Sequence, residues 1–252
     1  MNLGFFKKRA KIKNVFPTTA AIIAAAGSGN RMQGACKDKL FFEIEGLPVI
    51  AKTLLAYEEA ETVSSIVVVA RRNLIGDIFA LARELEIKKL SAVVPGGKTR
   101  AESVLAGIEA LKSDTEFVCI ADGARPFISP SSIDEVNLAA YKSGAAAACT
   151  EVTDTIKKLD ASAKICETVD RSRLVAMQTP QTFLLADYKT AVSRLGAAIE
   201  KATDDCAVFE AFGKTVTPVF TDKMNIKITS PDDLVIANAI ASLKNEPEKS
   251  LR

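Results

Sequence analysis

The 252-residue chain contains no histidine and no tryptophan. The first absence removes whole classes of chemistry: no Ser-His-Asp triad, no Cys-His dyad, no HExxH zinc site and no imidazole general base. Catalysis, if present, runs on Lys, Arg, Asp, Glu, Ser, Thr, Cys or a bound metal. The five cysteines, Cys36, Cys119, Cys149, Cys166 and Cys206, are scattered and form no CxxC pair. Neither a disulfide framework nor a zinc ribbon is indicated, and the pattern points to a reducing, cytoplasmic setting. Cys119 and Cys149 lie in apolar runs and are expected to be buried, inert thiols. No apolar run approaches the ~18 residues needed to cross a bilayer, so no membrane association is expected. A dominant charge is also missing: 33 Lys+Arg against 31 Asp+Glu leaves a net charge of +2. That balance argues against a dedicated nucleic-acid binder.

What is present is an alternation of short apolar runs and amphipathic segments. After a basic tail over 1–18, expected to be flexible, Thr19 to Ala26 reads as a buried strand. Ser65 to Ala70, Leu90 to Val94 and Phe117 to Ala121 read likewise. Between them Pro48 to Ala60, Asn73 to Glu86 and Thr99 to Leu111 carry helical spacing, with Pro48 in the first turn of its helix. Apolar strands without alternation, separated by helices, require a sheet covered on both faces, hence a doubly wound, mostly parallel α/β domain over 19–244. Ala145 to Thr150 is a further strand. The polar stretch from Thr153 to Leu174 predicts a projecting two-stranded arm, within about 151–175. An isolated hairpin is marginal in water, so the arm is expected to pack on a second subunit. Thr215 to Asp222 and Asn225 to Thr229 read as strands. Pro231 to Lys244 reads as a closing helix with Ser230 as N-cap and Asp232 and Asp233 in its first turn. Residues 245–252 form a tail.

Three segments carry candidate chemistry. Gly27-Ser28-Gly29-Asn30-Arg31-Met32 follows the first strand, where glycines let backbone N–H groups face an anion. The loop fails the dinucleotide fingerprint, which needs glycine at Met32, and the P-loop, which needs Lys-Ser/Thr at Ala35-Cys36. A plain glycine turn and a phosphate cradle both remain open; Arg31 and Lys39 favour the cradle. Asp122-Gly123-Ala124-Arg125 lies at the carboxyl end of a core strand, the edge where open α/β sheets bind ligands. There Asp122 either holds a divalent cation or ribose hydroxyl, or merely caps the turn. Gly96-Gly97-Lys98-Thr99-Arg100-Ala101-Glu102-Ser103 admits a planar ring, with Ser103 able to hydrogen-bond it. Later, Lys227 falls opposite Ile226 and Ile228 and faces solvent or a cleft.

In order, AAAGSGNRM, KLFFEIEGLPVI, GGKTRAESVLAGI, DGARPF, DT, TVDRSRL, QTPQTF, TDD and NIKITSPDDL resemble the 2-C-methyl-D-erythritol 4-phosphate cytidylyltransferases over Thr19 to Lys244. The resemblance implies a Rossmann-like nucleotidyltransferase fold, a homodimer exchanging β-arms, and transfer of CMP from CTP to a polyol phosphate in non-mevalonate isoprenoid precursor synthesis. It implies that Arg31 and Lys39 stabilise the transition state at the α-phosphate. Ala25, Ala26, Gly27 and Gly29 would hold the triphosphate side of the nucleotide, and Gly97 and Ser103 the cytosine. Asp122 would sit by the ribose and bind Mg²⁺ or another divalent cation. Arg171 and Lys227 would position the acceptor phosphate. Arg125, Thr155 and Thr179 would line the acceptor pocket, with Thr155 and Arg171 serving the neighbouring subunit from the arm.

The chain departs from the family at several places. Asp38 precedes Lys39 where Pro is usual, and the loop is one residue longer, which makes Lys37 a rival to Lys39. Gly123 replaces Ala, and Met224 stands where an acidic residue is common, with Asp222 as a substitute. Two other readings share these motifs: a ribitol-5-phosphate cytidylyltransferase, and a catalytically silent nucleotide-binding protein of the same fold. An NAD-dependent oxidoreductase is disfavoured by Met32.

Overall fold

The computed structural model describes residues 16–27 and 38–245. Eleven strands and seven α-helices are formed by them. The strands are β1 Thr19–Ala25, β2 Glu43–Ile44, β3 Leu47–Pro48, β4 Ser65–Ala70, β5 Leu90–Pro95, β6 Phe117–Asp122, β7 Ala145–Glu151, β8 Lys157–Leu159, β9 Ile165–Thr168, β10 Val175–Leu184 and β11 Thr217–Phe220. The helices are α1 Val49–Glu59, α2 Ile75–Glu84, α3 Arg100–Glu109, α4 Pro130–Ser143, α5 Leu185–Leu195, α6 Asp205–Ala211 and α7 Pro231–Asn245.

Seven strands form one sheet in the order β11-β7-β10-β6-β1-β4-β5. Strands β6, β1, β4 and β5 are mutually parallel, and β10 runs antiparallel to both β6 and β7. The chain therefore builds outward from β1 through β4 to β5, then crosses back to place β6 on the other side of β1. The reversal leaves a crevice at the carboxyl ends of β1 and β6, the position where doubly wound sheets bind ligands.

Continuous apolar strands become central because both faces are covered. Ala21, Ile23, Ile66, Val68 and Cys119 pack under α1, α2 and α7, while Ile22, Val69, Val118 and Ile120 pack under α3, α5 and α6. Gly107 of α3 brings that helix against β1: a Cβ there would meet Ile22 Cγ2 at 2.7 Å. Burial pushes the Cys119 thiol up to about 12, an inert group as expected.

Residues 157–168 form the expected hairpin, β8 paired antiparallel with β9 outside the main sheet. Two expectations are corrected. Pro48 sits at the N-cap position of α1, after pairing in β3, rather than in the first turn. Asn225 to Thr229 joins no strand ladder. This segment crosses the end of the sheet, where no strand edge runs beside it. It is held instead by single bonds, including Ile228 N–H to Ala124 O at 2.8 Å. α7 starts as expected at Pro231, with Asp233 accepting the N–H groups of Thr229 and Ser230 at 2.7 and 2.8 Å.

Candidate active site

A cavity of about 480 Å³ opens at the β1/β6 crevice. Ala24 to Gly27 leave β1 along one wall, Gly97 to Arg100 and Ser103 follow β5 along another, and Asp122 and Ala124 end β6 at its floor. Lys39 and Lys227 complete the lining from two later segments.

Asp122 is the electrostatic centre. The residue is only 8% exposed, and its backbone N–H donates to Thr179 Oγ1 at 3.0 Å. Lys227 Nζ lies 3.0 Å from Oδ1, and Arg125 Nε lies 3.2 Å from Oδ2. Burial alone would raise its pKa; the Lys227 ammonium and Arg125 guanidinium outweigh that, and the carboxyl titrates below its ordinary value. The side chain therefore does not spend itself capping the turn, the plainer of the two sequence readings. It is an anion at neutral pH, clamped by two cations.

The segment that carries Lys227 is itself anchored by two other cations. Arg125 Nη1 donates to Asn225 O at 2.7 Å, and Lys39 Nζ donates to Ile228 O at 3.1 Å. The unladdered 225–229 segment is thus stitched to the sheet end from both sides, which carries Lys227 over the cavity. Lys227 is not a solvated edge charge. Asp38 caps the short turn bearing Lys39 by accepting from Leu40 N–H at 3.0 Å, and pairs with Arg71 at the end of β4. Its φ of −159° lies outside the range open to proline. A proline here would therefore not fit the backbone found.

The Gly96-Gly97 turn is tight for a steric reason. A Cβ on Gly96 would fall 2.4 Å from Ala26 Cβ, and one on Gly97 would fall 2.3 Å from Glu102 Cβ. Ser103 lines the cavity, yet its hydroxyl holds the loop: Oγ accepts from Gly97 N–H at 3.2 Å and donates to Thr99 O at 2.9 Å.

The structure thus brings Ala25, Ala26, Gly27, Lys39, Gly97, Ser103, Asp122 and Lys227 to one cavity, with Arg125 on Asp122 and Thr179 directly behind it. Arg171 and Thr155 stand elsewhere, exposed on the arm, where Arg171 Nη1 bonds Thr153 O. Gly29, Arg31 and Lys37 lie outside the described residues. Met224 is in a turn whose N–H is taken by Asp222 Oδ1 at 2.8 Å. Sequence reasoning assigned nothing to Arg100 or Asp205, which form an ion pair at the cavity wall. The signal was the Arg within GGKTRAES and the acid within TDD.

Comparison with known proteins bears on the family and the fold. The 2-C-methyl-D-erythritol 4-phosphate cytidylyltransferase of Bacillus licheniformis is 39% identical over 227 residues, covering 90% of this chain and 97% of that protein. The enzyme of the same name from Halalkalibacterium halodurans is 39% identical over 225 residues, covering 89% and 97%. The crystal structure of the 4-diphosphocytidyl-2C-methyl-D-erythritol synthase from Anaerococcus prevotii superposes with a TM-score of 0.78 at 30% identity, covering 89% of this chain and 98% of that one. The family model for 2-C-methyl-D-erythritol 4-phosphate cytidylyltransferase matches residues 19–243, and the chain belongs to that family.

Proposed function

We propose that this chain transfers CMP from CTP to 2-C-methyl-D-erythritol 4-phosphate, releasing pyrophosphate, as a step in isoprenoid precursor synthesis. The observation that carries the proposal is the clamped carboxylate at the sheet's switch point, ringed by Lys39, Lys227 and Arg100 beside a steric glycine turn. Such a cavity suits a polyanion attached to a flat base.

An oxygen of the acceptor phosphate attacks the α-phosphorus of CTP; a new P–O bond forms as the bond from the α-phosphorus to the bridging oxygen breaks, and pyrophosphate leaves with that electron pair. The nucleophile is a phosphate monoester with a second pKa of ~6, mostly dianionic at neutral pH, so no general base is required. The absence of histidine is then no handicap. The site's work is to place two mutually repelling anions in line and to offset charge at phosphorus. Lys39 and Lys227, which line the same cavity, would do so together, with Arg31 adding a third cation from the glycine loop. Gly97 would lie against the cytosine, on a loop that Ser103 holds, while Ala25, Ala26, Gly27 and Gly29 would border the triphosphate. Arg125 and Thr179 would set the acceptor side of Asp122.

A divalent cation such as Mg²⁺ fits the donor set. Among the described residues no cluster of three or more His, Cys, Asp and Glu stands ready for a metal. Mg²⁺ is typically held by one or two carboxylates together with substrate phosphates and water, and the ionised Asp122 supplies such a carboxylate. When bound, the ion would neutralise charge on the triphosphate.

A homodimer in the cytoplasm completes the proposal. No described helix is long and apolar enough to cross a membrane. On the arm Leu159 and Ile165 are 56% and 67% exposed, an apolar pair that a second copy would cover. Arg171 and Thr155 would then reach the partner's cavity. Joint replacement Leu159→Asp and Ile165→Asp is expected to give a folded monomer, by sedimentation, with little activity. A dimer of undiminished turnover would remove the arm from the assembly.

The decisive measurement is pyrophosphate release with CTP and each polyol phosphate in turn. Turnover should favour 2-C-methyl-D-erythritol 4-phosphate, and the acceptor's kcat/KM should fall below pH ~6 as the phosphate takes up its second proton. Preference for ribitol 5-phosphate would reassign the acceptor, and CTP binding without pyrophosphate release would mark a silent protein.

A further inference from the structure

We infer that Asp205, acting through Arg100, is a positioning residue for the nucleotide. The inference rests on the CTP reading of the cavity but not on which acceptor is used.

Arg100 is the first residue of α3, directly after the Thr99 cap, and lines the cavity beside Gly97. Its own loop does not hold its side chain. Nη2 pairs with Asp205 Oδ2, on a helix 105 residues away in sequence. Asp205 is 1% exposed, and its second oxygen, Oδ1, accepts from the buried Tyr188 hydroxyl at 2.7 Å. The Asp205 backbone is fixed as well: its N–H and that of Cys206 donate to Gln181 Oε1 at 3.0 and 3.1 Å. Gln181 sits on β10 directly across from Ile120 of β6, the strand that ends in Asp122. The guanidinium on the cavity wall is thereby referenced to the same strands that place the carboxylate on its floor.

A fully buried carboxylate is costly unless paired, and stability alone is served as well by apolar residues of the same volume. What the pairing supplies here is orientation. A guanidinium offers five N–H donors in a rigid fork, and Asp205 occupies one nitrogen. Among the described residues no other acceptor takes an Arg100 N–H, so the remaining donors are available to a ligand in the cavity that Arg100 lines. Arg100 and Asp122 also feel each other's charge across that space. A polyanionic nucleotide entering between them meets a cation that cannot swing away. Arg100 lines the cavity beside Gly97 and Ser103, whereas Arg125 and Asn225 are not part of its lining; the effect should therefore fall on CTP and not on the acceptor.

The test compares Arg100→Lys, Asp205→Asn and Tyr188→Phe with the wild-type protein, by calorimetric CTP binding and by steady-state KM for each substrate. Arg100→Lys keeps the charge at a partly exposed position and should fold normally. We expect about a tenfold weaker CTP affinity in Arg100→Lys and Asp205→Asn, a smaller loss in Tyr188→Phe, and an acceptor KM within about twofold of wild type. A purely structural role would lower the melting temperature of Asp205→Asn yet leave CTP affinity in Arg100→Lys unchanged, and that result overturns the inference alone. A wild-type protein that binds no CTP overturns the functional proposal and the inference together.

Discussion

Replacing Lys227 with Ala is expected to lower kcat by roughly 10²–10³, by analogy with the loss of one preorganised donor at a developing oxyanion. The ammonium stands 3.0 Å from Asp122 Oδ1 at the cavity edge. Its backbone is pinned on the C-terminal side, where Ile228 is fully buried and bonded to Ala124 O. That anchoring makes the charge preorganised: little reorganisation is needed when negative charge builds on the transferring phosphoryl group. Lys227 is more than a third exposed but its partner Asp122 is buried, so the variant leaves that carboxylate with Arg125 alone and should also lose some stability. The predicted signature is a large fall in kcat, a modest change in CTP affinity and a somewhat lower melting temperature. Lys227→Arg, which retains the charge, should recover part of the rate. Stopped assays that place the Ala variant within about threefold of wild type would remove Lys227 from the reaction.

The parallel half of the sheet was legible because burial on both faces writes the same signal into every strand. Thr19–Ala25, Ser65–Ala70 and Phe117–Asp122 are apolar runs bounded by turn residues, and the helices between them show a 3.6-residue period. The remainder was hidden for identifiable reasons. β10 is a central strand that contains Gln178, Thr179, Pro180 and Gln181, a composition that argues against a strand. It is tolerated because the ladder to β7 shifts register between Met177 and Gln181, so Pro180 owes no hydrogen bond there. The buried Gln178 Oε1 accepts from Asn225 Nδ2 and Thr221 Oγ1 at 2.7 and 3.0 Å, while Asn225 Oδ1 is left without a hydrogen-bond partner among the described residues. α4 escaped patterning because its buried stripe, Ile133, Val136, Asn137 and Ala140, includes an amide that bonds Thr62 and Thr182. At the site, the glycine turns and Asp122 could be placed at strand ends from sequence alone. The Arg100–Asp205 pairing could not, because nothing local links residues 105 apart.

Asp122→Asn should be comparably damaging to kcat and should change a second quantity as well. The amide keeps the shape of the side chain but removes the charge that holds Lys227 and Arg125 and would hold the divalent ion. We expect kcat to fall by about 10²–10³, with a higher divalent-cation concentration needed for half-maximal activity. The second readout separates loss of an ion-binding carboxylate from general disorder of the cavity. Stability provides a third. The Asp122 carboxyl titrates lower in the folded protein than in the unfolded chain, because two cations outweigh the penalty of burial. Its contribution to folding is therefore fully present above the ordinary carboxyl range and is lost as pH falls through the depressed folded value. Wild type should melt higher than Asp122→Asn at pH ~7, and the gap should close on acidification below pH ~4, since the variant lacks the titrating group. A gap that stays constant with pH would mean that the carboxylate is not the partner that Lys227 and Arg125 stabilise, and the clamped anion at the centre of the mechanism would have to be sought elsewhere.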